Sequence, residues 1–390
     1  MVTGTILVLN VGSSSIKFAL YPDGPEAAPG LRGKITGIGT APQIAVEGRP
    51  DAAASFGAMH PDDRQDRLTE RLLGFLDRQA GSGPVRAVGH RVVHGGLDFA
   101  EPVLVDGQVL HRLAALEPLA PLHQPHNLAA IRAVAARDPG MPQVACFDTA
   151  FHLTQPPVAR LFALPRVWAD RGVLRYGFHG LSYDHVAGCL PDHLADRADG
   201  RVVVCHLGNG ASLCAMRHRR SLATTMGFTA LDGLVMGQRC GALDPGVILH
   251  LLREWGLSAA EVEAMLYHDS GLLGVSGISS DMRALEASGE PAAEEAIALF
   301  CHRAVRELGG LVAVLGGLDA LVFTAGIGEN SARIRARICD MLGWLGVALD
   351  PAANAANATR IDRAGSGCAV LVIPTDEERV IARATLRLTA

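Results

Sequence analysis

The chain carries one short pattern twice, about half its length apart. Ile6 to Ala19 and Val202 to Ala215 each begin with four apolar residues, one polar residue, one apolar residue and a glycine, Gly12 in the first copy and Gly208 in the second. A buried strand running into a tight turn has this signature, and two copies predict a duplicated strand–turn–strand unit, one per half. At 390 residues the chain also exceeds what a single hydrophobic core usually supports, so two domains are expected, with their interface as the place for a ligand.

Between and after the copies, apolar runs alternate with helical patterns. Ile6 to Leu9, Gln143 to Phe147, Val202 to Cys205, Ala320 to Phe323 and Ala369 to Ile373 read as strands. Leu68, Leu72, Leu73 and Leu76 share one helical face after Pro61-Asp62, in a helix ended by Gly81 to Pro84. Asp244-Pro245 starts another helix, carrying Val247, Ile248, Leu251, Leu252 and Trp255, and Ser258 with Glu261 forms a capping box for the next. Alternation of this kind predicts an α/β architecture.

Charge and composition exclude several classes. A net charge of −5 from 40 acidic and 35 basic residues, with no run of either sign, supplies no field for nucleic acid or an anionic membrane. A small anionic substrate would need local Arg or Lys. The eight cysteines form no Cys-x-x-Cys pair and read as small buried residues in a reducing compartment. Ile6 to Leu9 is too short for a signal-peptide core, and Leu308 to Leu318, interrupted by glycines, is too short for a membrane span and reads as a buried helix end leading into a strand. A cytosolic protein is expected.

Several segments carry polar chemistry at strand ends. Asn10-Val-Gly-Ser-Ser-Ser-Ile-Lys17 follows a strand, and its small residues let backbone N–H groups approach a phosphate, although an ordinary hairpin turn has the same composition. His206-Leu207-Gly208-Asn209-Gly210 and Gly326-Ile327-Gly328-Glu329-Asn330 are also glycine-rich turns directly after strands, and neither is a P-loop or a dinucleotide fingerprint. Arg91 and Arg239 lie within apolar segments, where a guanidinium needs an anionic partner, either a structural carboxylate or a ligand. Asp148 ends a strand, and His179 sits between aromatics and glycines; a cap or a satisfied core role serves each as well as phosphoryl transfer does. Asp376-Glu377-Glu378 opens the last helix, either as a dipole cap or as a source of Mg²⁺ ligands.

In this order, from Asn10-Val-Gly-Ser-Ser-Ser through Gly89-His-Arg-Val-Val-His-Gly-Gly, Phe147-Asp-Thr-Ala-Phe-His, Arg175-Tyr-Gly-Phe-His-Gly, His206-Leu-Gly-Asn-Gly and Phe323-Thr-Ala-Gly-Ile-Gly-Glu-Asn-Ser to Pro374-Thr-Asp-Glu-Glu, the segments resemble the acetate kinase family over nearly the whole chain. The resemblance implies a duplicated actin-like ATPase (ribonuclease H-like) α/β fold with two domains around an active-site cleft. Domain I would cover 1–147 and 379–390, and domain II 148–378. It implies Mg²⁺-dependent phosphoryl transfer, with Mn²⁺ as a possible substitute, between ATP and acetate, giving ADP and acetyl phosphate in a homodimer. Asn10 and Glu377 would serve the metal. Asp148, His179 and Arg239 would be catalytic. Arg91 would hold the carboxylate, with Val93, Leu122, Phe178 and Ala230 around the acyl group. Lys17 would lie near the phosphates, and His206 to Gly210 (His206, Leu207, Gly208, Asn209, Gly210), Asp281-Met282-Arg283 and Gly326 to Asn330 would bind the nucleotide.

Two departures from the family pattern stand out. Thr229-Ala230-Leu231-Asp232-Gly233 replaces Thr-Pro-Leu-Glu-Gly, and Ser221-Leu222-Ala223-Thr224-Thr225-Met226-Gly227 lacks an acid. Loss of the proline ring should enlarge the wall that receives the acyl methyl group and favour propionate. A non-catalytic actin-like nucleotide module would keep the glycine loops but have no use for Arg91, Arg239, Asp148 and His179 together.

Overall fold

Strand β1 (Thr5–Val11) is buried at every position except Asn10, as a strand between two others with both faces covered must be. The computed structural model describes residues 4–22, 24, 26, 28–78 and 83–390. The chain divides into two compact units, Met1–Phe151 with Asp376–Ala390, and His152–Thr375. These bounds lie a few residues from the expected ones. Asp148 stays with the first unit through its bonds to Arg91, and Asp376 and Glu378 do so through Arg32.

In the first unit β1 pairs antiparallel with β2 (Ser15–Tyr21), which continues through β3 (Leu31–Thr36) and β4 (Gln43–Val46). On its other side β1 pairs in parallel with β5 (Val85–Val92), and β5 with β7 (Gln143–Phe147); the short β6 (Val103–Leu104) closes that edge. The second unit repeats the core of this arrangement. Antiparallel β8 (Val202–Leu207), β9 (Ala211–Arg217) and β10 (Arg220–Thr224) are followed by parallel β11 (Ala320–Thr324) beside β8 and β12 (Ala369–Val372) beside β11. The repeated sequence pattern is therefore β1–β2 in one sheet and β8–β9 in the other.

Helices cover the faces of each sheet. In the first unit Gln65–Asp77 and Gln124–Arg137 supply Leu68, Leu72, Phe75, Ala130 and Val134 to a core with Leu7, Leu9 and Phe18. Glu377–Thr389 packs against β5 on the opposite face, where a Cβ on Gly89 would stand 2.3 Å from Thr385 Oγ1 and 2.5 Å from Ile381 Cγ2. In the second unit Pro291–Leu315 buries Ala296, Ile297, Phe300, Ala304 and Leu308 and ends at Gly316 in the left-handed region. It leads into β11, as the apolar run from Leu308 predicts. No described helix is long and apolar enough to cross a membrane. All eight cysteines are free, and Cys189 and Cys240 are only partly buried.

Three helix readings meet the structure differently. The Ser258–Glu261 capping box forms in full. The helix from Pro245 stops at Arg253, so Trp255 lies beyond it and is 70% exposed rather than on the apolar face; Gly256, at φ +70°, turns the chain away. The helix from Gln65 ends at Asp77 with Arg78 as its C-cap, and Gly81, expected to end it, lies outside the described residues.

Two predictions follow from packing. Gly89→Ala drives a methyl into the C-terminal helix and should destabilise the first unit by about 1–3 kcal/mol, read as a lower urea midpoint; an unchanged midpoint would mean that the helix shifts without cost. Burial holds the imidazoles of His90, His94 and His152 down at about 4. Their folded values lie below the unfolded value, so the unfolded chain binds more protons between pH 6.5 and 4. The stability they confer is complete above pH 6.5 and is lost on acidification through that window. Each should remove up to about 2 kcal/mol between pH 6.5 and 5, and equal urea midpoints at those two values would refute the assignment.

Candidate active site

In the first unit the parallel register sets Arg91 opposite Cys146, and Asp148 follows the end of β7. The guanidinium grips this carboxylate with Nε at 3.1 and 3.0 Å from its two oxygens and Nη2 at 2.5 Å, while Nη1 donates to Asn10 Oδ1 at 3.2 Å. Asp148 is 1% exposed. Burial alone would weaken the Arg91 charge, but Asp148 and Glu377 outweigh it and hold its pKa above the ordinary value. Three of the five guanidinium N–H groups are thereby occupied, which leaves two for a ligand.

Around this cluster the loops are tied down. Val93 N–H donates to Asn127 Oδ1, Asn127 Nδ2 donates to the Val11 carbonyl, and Gly95 N–H donates to Thr149 Oγ1. Val93 is buried and Leu122, in the turn before Gln124–Arg137, is half-buried. Lys17 stands across the hairpin from Asn10 and lines a cavity of about 350 Å³ with Arg32, Lys34 and Glu378. Asp376 caps the last helix by accepting from Arg379 N–H, so the cap belongs to Asp376. Burial raises the Glu378 carboxyl above the usual carboxylate range, against the pull of Arg32.

Asn10, Asp148 and Glu377 present the amide and carboxylate oxygens that a hard divalent cation prefers, and Mg²⁺ needs only one or two protein carboxylates. The donor set therefore fits such an ion. Among the described residues no three His, Cys, Asp or Glu side chains gather into a metal cage.

The second unit holds the other predicted residues. His179 precedes the helix Gly180–Leu194 in a left-handed conformation, φ 60° and ψ 23°. Its position is fixed from behind, because buried His152 donates from Nε2 to the Phe178 carbonyl at 2.9 Å and its Nδ1 meets Ser221 Oγ at 2.8 Å. Gly177 is required beneath that ring, where a Cβ would lie 2.6 Å from His152 Cδ2. The His179 ring stacks on His206 at 4.1 Å between centroids and 16° between planes. Ser212 Oγ lies 2.9 Å from His179 Nδ1, and Ser182 Oγ lies 2.8 Å from His206 Nδ1.

The loop from His206 to Gly210 meets the segment carrying Arg239. Gly237 N–H donates to the Asn209 carbonyl at 2.9 Å, and Arg239 Nη1 donates to the Ala230 carbonyl at 2.9 Å. A Cβ on Gly210 would stand 3.3 Å from His179 Nε2 and 3.7 Å from Arg239 Nη1. The two side chains thus converge beside one glycine.

A cavity of about 760 Å³ opens next to this loop, lined by Gly208, Asn209, Asp281, Met282, Arg283, Gly326, Ile327 and Asn330, and also by Ser280, Glu286 and Ser331. The last three were missed in the sequence. Ser280 and Ser331 adjoin predicted residues, and Glu286 lies one helical turn beyond Met282. Arg283 pairs with Asp281, which caps that helix. Leu207 is wholly buried in β8 and does not line the cavity.

Gly326 to Asn330 is not a turn but most of a short helix, Ala325–Asn330. Glu329 accepts from the backbone N–H groups of Ala325 at 2.8 Å and Thr375 at 2.9 Å, so its carboxylate shapes the loop instead of lining the cavity. Gly328 backs onto Phe323 and Cys205. Its carbonyl and that of Glu329 accept from Arg335, which is wholly buried and also donates to Asn354 and Asn357. Burial lowers the Arg335 pKa. Sequence reasoning missed this brace, whose only trace is an arginine between Ile334 and Ile338 on a helix.

Comparison with known proteins fits this geometry. The Acetokinase family matches residues 5–383. The chain is 54% identical to an acetate kinase of Rhodopseudomonas palustris over 98% of each chain, and 50% identical to one of Nitrobacter hamburgensis over 98% of this chain and 96% of that one. Among solved structures it resembles a propionate kinase from Francisella tularensis (37% identity, TM-score 0.91, 99% and 100% of the two chains) and the Porphyromonas gingivalis acetate kinase (34%, 0.88, 99% and 100%). The chain belongs to the acetokinase family and has its duplicated actin-like ATPase fold.

Proposed function

We propose that the protein catalyses reversible transfer of a phosphoryl group between ATP and acetate, directly and in line, giving ADP and acetyl phosphate. The carrying observation is the convergence of His179 Nε2 and Arg239 Nη1 beside Gly210, on the loop whose Gly208 and Asn209 line a cavity of nucleotide size. A transferring phosphoryl group spreads charge over its equatorial oxygens, and fixed donors aimed at those oxygens stabilise it more than they stabilise the ground state.

In this reading the nucleotide occupies the cavity between the 208–210, 281–283 and 326–330 segments. Arg91 uses its two remaining N–H groups on the acetate carboxylate while Asp148 keeps the guanidinium charged and oriented. Lys17 adds positive charge toward the phosphates. Val93 and Leu122 on the first unit, and Phe178 and Ala230 on the second, supply apolar surface for the acyl methyl group. Asn10 and Glu377 would hold Mg²⁺, or Mn²⁺ in its place, whose charge would offset that of the phosphate oxygens. Val158, Leu164, Val167, Trp168 and Trp255, all large and exposed on the second unit, support a homodimer joined through that unit. A single species of monomer mass in sedimentation at micromolar concentration would remove that part. A cytoplasmic location suits eight free cysteines, and recovery in the membrane or secreted fraction would contradict it.

Hydroxylamine trapping should detect acetyl phosphate formed from ATP and acetate. Arg91→Ala and Arg239→Ala should each lower kcat by about 10²–10³-fold, and wild-type turnover in either variant would defeat the assignment. Alanine at 230 supports good use of propionate, since one methylene in an apolar pocket shifts preference by about 1–3 kcal/mol. Ala230→Pro should therefore move the kcat/KM ratio toward acetate, and an unchanged ratio would reject the enlarged wall.

A further inference from the structure

Tyr183, Ser212 and His179 form a continuous chain of polar contacts inside the second unit. The phenol oxygen lies 2.5 Å from Ser212 Oγ, and that Oγ lies 2.9 Å from His179 Nδ1. A serine hydroxyl has one proton and can donate to only one of two neighbours. A phenol is a far stronger acid than an aliphatic alcohol, so Tyr183 is the donor of the short O–H···O bond and Ser212 its acceptor. Ser212 is wholly buried, so its own proton goes unsatisfied unless it points at the imidazole, which makes Nδ1 an acceptor. A neutral ring that accepts at Nδ1 carries its proton at Nε2.

We propose that Tyr183 and Ser212 are positioning residues for His179, holding its neutral imidazole in the Nε2–H tautomer so that a hydrogen-bond donor, not a lone pair, faces the place beside Gly210. The opposite tautomer would turn a lone pair toward anionic oxygens and repel them. No proton is transferred in this device; it selects an orientation.

Three further observations support it. His206 stacks on His179 at 4.1 Å, and two imidazolium rings at that distance repel, so the pair does not carry two charges. Tyr183 is wholly buried, and burial pushes its phenol well above the usual value, so it keeps its proton at any working pH. The three groups also stand on rigid elements. Tyr183 lies in the first turn of Gly180–Leu194 and Ser212 in β9, while His179 is held in its strained left-handed conformation by the His152 bond to Phe178.

The catalytic consequence rests on the phosphoryl-transfer reading, but the tautomer does not, so the experiment reads both. Nitrogen-15 NMR of the full chain with labelled histidine at pH 7 should place His179 Nδ1 in the lone-pair range and Nε2 in the protonated range. Tyr183→Phe and Ser212→Ala should move both nitrogens toward averaged values and lower kcat about tenfold or more, with KM for ATP and acetate within about twofold of wild type. Ser212→Thr, which keeps a hydroxyl, should restore both readings. A wild-type proton on Nδ1 would overturn the proposal, as would a fall in kcat without any nitrogen shift in either variant. Failure of the wild-type chain to phosphorylate acetate would instead count against the enzymatic reading and leave the spectrum to decide the tautomer.

Discussion

Parallel pairing of β1 with β5 and of β8 with β11 is the constraint on which the functional groups depend. Parallel strands point the same way, so the loops that leave them gather at one end of the sheet. In the first unit this puts Asn10, Arg91 and Asp148 at neighbouring strand ends, and the register that sets Leu9 opposite His90 and Val92 opposite Phe147 brings them into bonding distance. In the second unit the same rule gathers the turn after β8, the short helix after β11 and Thr375 beyond β12, whose N–H reaches Glu329. An antiparallel arrangement of these strands would send alternate loops to opposite ends.

Much of this was legible because buried parallel strands leave a strong mark. Four apolar residues, then a polar one, an apolar one and a glycine identify β1 and β8, and the apolar runs identify β7, β11 and β12. Strands with one exposed face leave less. β3 and β4 carry Arg32, Lys34 and Gln43 among their apolar residues, and β6 is two residues long. Local composition also misjudged the segment from Gly326: two glycines suggest a turn, yet Glu329 bonds to the N–H of Ala325 and Arg335 satisfies the last carbonyls, so a single helical turn persists. Arg335 acts from outside the segment, where a local reading cannot see it.

The arginines show the same division. A buried guanidinium prompts a search for an anion, and for Arg91 the structure supplies Asp148, just past the end of β7, where the sequence left the partner open between a structural carboxylate and a ligand. Arg335 defeats the rule. Its donors meet Gly328, Glu329 and Asn354 carbonyl oxygens and the amide oxygens of Asn354 and Asn357, all neutral. Neutral oxygens leave no complementary charge in the sequence to find. The penalty of burying such a cation is offset only when every N–H is satisfied, so this site is rigid by necessity. It stiffens the segment whose Gly326, Ile327 and Asn330 line the larger cavity.

The glycine motifs carry a more specific message than flexibility. At Gly210 the missing side chain is the room in which His179 and Arg239 approach each other. At Gly237 a Cβ would stand 1.9 Å from Asn209 Oδ1, and at Gly177 the room is taken by His152. Gly271, at φ +64°, lets its backbone lie against the carbonyls of Met236 and Arg239. Each is the imprint of another residue that must come close, so the motifs record pairs of segments instead of single turns. Such an imprint survives in sequence because any larger residue collides at once, whereas a hydrogen-bonded brace such as Glu329 or Arg335 uses an ordinary polar residue that could serve elsewhere. Recognition of the site from sequence therefore follows its empty spaces more closely than its bonds.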